Sequence, residues 1–231
     1  MRAAANAGVT RMVTMGVDLI RSRAAVALAQ EHREVWAAVG HHPTEHEPHD
    51  IEGLRGLARE QRVVAVGEVG LDFEENGAPP PSVQLSRFDE LCGLALELDL
   101  PVSIHNRGAA AEILEIIAAH PGLRGVMHYW SLEWDWAKRF LDVGFFLGFA
   151  GLVTRPSRHA LREVVQECPS DRLLLETDSP YGNAHKRMDV PNRPAYLLDT
   201  AELVAELRRM SIEDLAKLER ANALALFTRM N

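Results

Sequence analysis

The chain has 231 residues, enough for one large domain with a substantial buried core. Its formal charge of −8 excludes a protein that coats nucleic acid by charge alone, which would be basic. It shows no apolar run of membrane-spanning length and no signal peptide, and Cys92 and Cys168 have neither zinc-knuckle nor redox spacing. These features predict a protein of the reducing cytoplasm with no membrane partner.

In chain order, a short helical fragment over 1–7 leads into a β-branched run at 11–16. A helical pattern at 20–32 and a second strand at 35–41 follow, then a helix at 51–60 and a strand at 63–69. The next pair is a helix at 81–98, opened by Pro81 and closed before Pro101, and a strand at 102–105. Alternation continues with a helix at 109–119, a strand at 125–129, a helix at 133–142 and a strand at 145–150. A helix at 157–167 and a strand at 173–177 come next, and helices at 194–208 and 212–228 close the chain. Ser211, three residues before Asp214, reads as the N-cap of the last helix. Regular β-α alternation predicts an α/β fold with a parallel sheet, and no linker or repeat divides residues 1–231 into more than one domain.

Several strands end in residues that carry chemistry. Val63-Val64-Ala65-Val66-Gly67 runs into Glu68, Val102-Ser103-Ile104 into His105, Gly125-Val126-Met127 into His128, and Leu173-Leu174-Leu175-Glu176-Thr177 into Asp178. In a parallel barrel all strands point their C-terminal ends at one face, where active sites of that fold are built. Two imidazoles and two carboxylates gathered there would make a metal site of hydrolytic type. Each residue also has a plainer reading: Glu68 as a buried ion pair, the histidines as satisfied core residues, Asp178 as a helix N-cap.

Three segments resemble the TatD family of metal-dependent hydrolases and DNases, within the amidohydrolase-like barrels. They are Gly67-Glu68-Val69-Gly70-Leu71-Asp72, Pro101-Val102-Ser103-Ile104-His105-Asn106-Arg107, and Leu173-Leu174-Leu175-Glu176-Thr177-Asp178-Ser179-Pro180-Tyr181. Weaker echoes are Gly40-His41-His42-Pro43, Asn192-Arg193-Pro194 and the closing Asn222-Ala223-Leu224-Ala225-Leu226-Phe227. The resemblance spans essentially the whole chain and implies a TIM-type (β/α) barrel. Seven strands are visible, so the expectation is a barrel lacking its first strand, and with it the H-x-H pair that the family carries there. Two further departures are Tyr129-Trp130 after His128 and Gly108 after Arg107.

What the resemblance implies for the site is specific. Glu68, His105, His128 and Asp178 would be metal ligands, with Glu68 bridging two ions in the family and Asp178 also the general base. Arg107 would hold the substrate phosphate, and Asp72 would stand behind the ligands, fixing a loop or a histidine tautomer. The cofactor would be a divalent ion (magnesium, manganese or zinc), two in the family and one here if the H-x-H pair is absent. The expected partner is DNA or another phosphodiester, cleaved by metal-activated water, with low or absent nuclease activity for the 231 residues on their own. Two alternatives stay open: an aminoacyl-tRNA deacylase-type ester hydrolase, and a weakened paralogue that only binds. His41, His42, His46 and His49 form a dense cluster after the second strand, read as a polar loop, the other reading being a substitute for the H-x-H pair. Trp130, Trp134 and Trp136 could stack on a base, with packing expected for at least one.

Overall fold

The computed structural model describes residues 1–230. Seven strands, β1 (Met12–Met15), β2 (Val35–Val39), β3 (Val63–Asp72), β4 (Val102–Arg107), β5 (Gly125–Met127), β6 (Phe146–Phe149) and β7 (Leu173–Leu175), follow one another in sheet order as they do in the chain. The pairs β1–β2, β2–β3, β3–β4 and β6–β7 are parallel. Strands alternate with helices throughout, which is the α/β succession of a TIM-type fold. By contact density the described chain divides into two compact units, residues 11–126 with 226–230, and residues 1–10 with 127–225.

In the first unit β1–β4 alternate with α2 (Leu19–Glu31), α3 (Ile51–Ala58), α4 (Pro81–Glu97) and α5 (Ala110–Ala119). Ala37, Ala38, Val39 and Val63 to Val66 are wholly buried, as expected of strands covered on both faces. Asp18 and Asp50 cap α2 and α3, accepting from the backbone N–H of Arg21 and Gly53. Pro81 opens α4 at its first turn, as the sequence predicts. At the far end of the chain Arg229 donates to Ala58 O (2.9 Å), Val63 O (3.2 Å) and Leu98 O (3.1 Å).

β3 and β4 run further than predicted, to Asp72 and Arg107. Their pairing continues through Gly70 with His105, Leu71 with Asn106 and Asp72 with Arg107, so the motif residues lie in the sheet and not in a loop. The register shifts between Val66 and Val69, around Glu68. Gly70 has φ +131°, and a Cβ there would lie 2.1 Å from His105 O. Only glycine fits this crossing of the two motif strands.

The second unit contains β6, β7, α1 (Arg2–Asn6), α6 (Trp134–Asp142), α7 (His159–Glu167), α8 (Leu197–Arg208) and α9 (Ile212–Leu226). Phe140, Phe145, Leu147 and Phe149 are wholly buried in its core. Trp130 packs there too, edge-on to Phe140 at 5.6 Å, so its part is structural. Residues 194–196, predicted to begin a helix, instead form a 3-10 turn leading into α8. Two motif echoes have structural work. Asn222 on α9 donates to Ser170 O and Leu173 O, both at 2.7 Å, and Asn192 donates to Thr177 O (2.7 Å) and Tyr181 O (2.6 Å). Ser211 caps α9, accepting from Asp214 N at 3.0 Å.

Candidate metal centre

Among the described residues one group of side chains has metal-ligand geometry: His42, Glu68 and His105, whose donor atoms all lie within 4.8 Å of one another. Glu68 comes from the register shift in β3, His105 from β4, and His42 from the loop after β2. Glu68 Oε1 is 3.2 Å from His105 Nδ1 and 3.5 Å from His42 Nε2, and the two rings meet edge to face with centroids 4.5 Å apart. All three are partly shielded from solvent.

The nitrogens facing away from Glu68 are occupied. His105 Nε2 lies 2.9 Å from Asp72 Oδ2, and His42 Nδ1 lies 2.8 Å from Thr44 Oγ1. A carboxylate on the outer ring nitrogen fixes the tautomer and turns the inner one into a donor, the pattern found behind metal-bound histidines. Asp72 is itself held. Its Oδ1 accepts from Glu74 N (3.1 Å) and Glu75 N (2.9 Å), and the buried Gln84 side chain pins its backbone N–H and C=O, each at 2.8 Å. Burial opposes ionisation of both groups. The His105–Asp72 bond overrides it, holding the Asp72 carboxyl below the usual carboxylate range and raising His105 above the ordinary imidazole value. Two imidazole nitrogens, braced from behind by Asp72 and Thr44, and one carboxylate oxygen suit a divalent ion of the zinc or manganese kind.

The histidine loop proves mixed. His42 joins Glu68 and His105, whereas His41 is buried against Arg87 Nη1 (3.1 Å), and burial first, then that cation, lowers it to about 4. His46 contacts Gly77 O at 2.8 Å and His49 pairs with Glu90 at 2.9 Å. Arg107, expected to hold phosphate, has its guanidinium among three carboxylates, Glu75 at 2.8 Å, Glu74 at 3.4 Å and Asp72 at 4.0 Å.

In the second unit His128 stands between two carboxylates, with Nδ1 3.0 Å from Glu176 Oε2 and Nε2 3.3 Å from Asp178 Oδ1. Glu176 also accepts from Tyr129 N. Tyr129 and Asp178 beside it both adopt left-handed backbone, at φ 50° and φ 60°, a conformation uncommon for residues with side chains. Sequence reading did not single out Glu176 and favoured a plain polar-loop role for His42 over a ligand role. The signals were there. Glu176 stands two residues before Asp178, and His42 directly follows a strand in a Gly-His-His-Pro run.

A family model described as TatD related DNase matches residues 1–228. The chain belongs to the TatD family. Within the family it is 34% identical to the uncharacterized metal-dependent hydrolase YabD of Bacillus subtilis over 95% of this chain and 88% of that protein. It is likewise 34% identical to the 3'-5' ssDNA/RNA exonuclease TatD of Erwinia amylovora, over 98% of this chain and 92% of that one. The crystal structure of YjjV, a TatD homologue from Escherichia coli K12, superposes with a TM-score of 0.92 at 32% identity, covering 98% of this chain and 90% of that one. This TatD chain therefore has the family's TIM-type fold and is a metal-dependent hydrolase by kinship. No helix among its described residues is long and apolar enough to cross a membrane.

Proposed function

We propose that the chain hydrolyses phosphodiester bonds of single-stranded nucleic acid, with a zinc, manganese or magnesium ion held by His42, Glu68 and His105. The observation that carries this reading is the convergence of three donor atoms on one point with Asp72 braced behind His105. Exonuclease relatives from Erwinia amylovora and Klebsiella pneumoniae supply the substrate class. When bound, a divalent ion there acidifies a water and offsets negative charge developing on the phosphoryl oxygens. Glu68 and His105 hold the ion, and Asp72 keeps the His105 ring turned towards it. His128 and Asp178 take the roles that the family resemblance implies, the histidine as a ligand and the aspartate as ligand and general base. Glu176 keeps His128 in one orientation. The two buried free cysteines fit a reducing compartment, and we place the enzyme in the cytoplasm.

The test is cleavage of an end-labelled single-stranded oligonucleotide by the purified chain in manganese, zinc or magnesium, against a chelated control. Metal-dependent shortening that His42→Ala abolishes is expected. A chain that binds the ion by elemental analysis yet cuts neither DNA nor RNA in any of the three metals would refute the reading.

A further inference from the structure

After β6, three arginines fall within one stretch of eight residues, Arg155, Arg158 and Arg162. Arg162 is committed to the backbone, donating to Val153 O (3.2 Å), Thr154 O (3.3 Å) and Arg155 O (3.3 Å). It thereby fixes the segment from which Arg155 emerges. Arg158 is exposed. Arg155 differs from both. It is half-buried, its Nε–H is shielded from solvent with no acceptor, and no ion pair to it exists among the described residues. Several cations of the same unit are compensated, Lys186 and Arg187 by Asp199, Arg172 by Asp171 and Lys138 by Asp135, and what sets Arg155 apart is its shielded Nε–H. A shielded, unpaired donor on a cation whose backbone is held in place is the feature that an anionic ligand would satisfy.

Its position gives that anion an address. The turn Gly151–Thr154 touches the loop after β7 backbone to backbone, since a Cβ on Gly151 would lie 2.3 Å from Ala184 N and 2.4 Å from Gly182 O. His185 N donates to Thr154 Oγ1 at 2.7 Å. Gly182 in turn lies against Tyr129 and Asp178, as a Cβ there would come within 2.8 Å of Tyr129 Cε2 and 2.9 Å of Asp178 Cβ. Arg155 thus leaves the turn next to the loop that packs on the residues flanking His128 and on Asp178.

We propose that Arg155 grips a phosphate of the single-stranded nucleic acid substrate, its guanidinium N–H groups donating to the two non-bridging oxygens. The assignment rests on the phosphodiester reading above. It gives the −8 chain a local cation beside the loop that packs on Asp178, whereas Arg107 is ringed by three carboxylates.

Binding, separated from cleavage, provides the test. The affinity of the full chain for a fluorescein-labelled single-stranded oligonucleotide is measured by anisotropy in chelator across a salt series, for wild type, Arg155→Met, Arg155→Lys and Arg158→Met. Arg155→Met should weaken binding about 10- to 100-fold. It should also reduce the slope of log affinity against log salt by about 0.7, the signature of one lost phosphate contact on a single strand. Arg155→Lys should recover part of the affinity, and Arg158→Met should stay within about twofold, because a mobile surface charge adds little. Inorganic phosphate should compete with wild type and not with Arg155→Met. An Arg155→Met affinity within twofold of wild type, an unchanged salt slope, equal losses at Arg155 and Arg158, or no binding by wild type would overturn the proposal. A wild type that binds through Arg155 yet cuts in no metal would support this assignment and refute the hydrolase reading; unimpaired cleavage by Arg155→Met would do the reverse.

Discussion

Glu219 on α9 lies beneath β7, the strand that delivers Glu176 and Asp178. Its Oε1 accepts from Leu175 N at 2.7 Å, while Oε2 is buried with no partner. Burial pushes this carboxyl up from an ordinary 4.5 to about 8, with the nearby Glu176 charge adding to the rise. A carboxyl raised in this way binds its proton in the folded chain where the unfolded chain has lost it, so stability falls as pH rises. The contribution is fully present below about pH 4.5, declines by ~1.4 kcal/mol per pH unit, and is exhausted above about pH 8. From about pH 5 to pH 8 the loss from this group is ~3 kcal/mol. Glu219→Gln keeps an acceptor for Leu175 N–H and cannot ionise. The expected outcome is a variant whose stability matches wild type at about pH 5 and exceeds it by ~3 kcal/mol at about pH 8, or ~6 to 12 °C in Tm. Urea denaturation of both proteins at half-unit pH steps reads the difference directly, because titrating groups not coupled to Glu219 cancel in the comparison. Parallel pH curves for the two proteins would refute the claim that Glu219 is folded in its neutral form.

Two further outcomes concern the metal centre. Asp72→Asn should weaken zinc or manganese binding about 10- to 100-fold by titration calorimetry, since the His105 ring loses the carboxylate that orients it; wild-type affinity would remove Asp72 from that role. Gly70→Ala should cost ~2 to 4 kcal/mol in urea denaturation, because the new methyl meets His105 O and the backbone angle is adverse, and a loss below ~1 kcal/mol would show that β3 and β4 can separate to admit it.

The order of elements was readable because each strand is a short apolar run and Pro81 and Ser211 mark the starts of two of the helices between and after them. Boundaries slipped where pairing overrode pattern. Asp72 and Arg107 lie beyond the predicted strand ends at residues 69 and 105, yet β3 and β4 carry them in register. Of the candidate site, His105 with Glu68 and His128 with Asp178 stood out as strand-terminal residues, and the structure brings each of these pairs within 3.3 Å. His42 was harder to see. Its neighbour His41 has the same chemistry, and only the turn after Gly40 decides which ring meets Glu68 and which is buried against Arg87. Arg155 was invisible for a different reason. An arginine among arginines has no sequence mark showing which of them lacks a partner.

The Arg229 clamp bears on the order in which the chain can be completed. It stands 171 residues beyond Ala58 and 131 beyond Leu98, yet it ties the end of α3, the start of β3 and the end of α4 together through three carbonyls. Synthesis proceeds from the N-terminus and domains tend to form as they emerge. Here the early strands can pair, but their lower rim stays unfastened until residues made much later return to it. A nascent chain stalled after α9 begins would carry those three carbonyls without the donor that joins them.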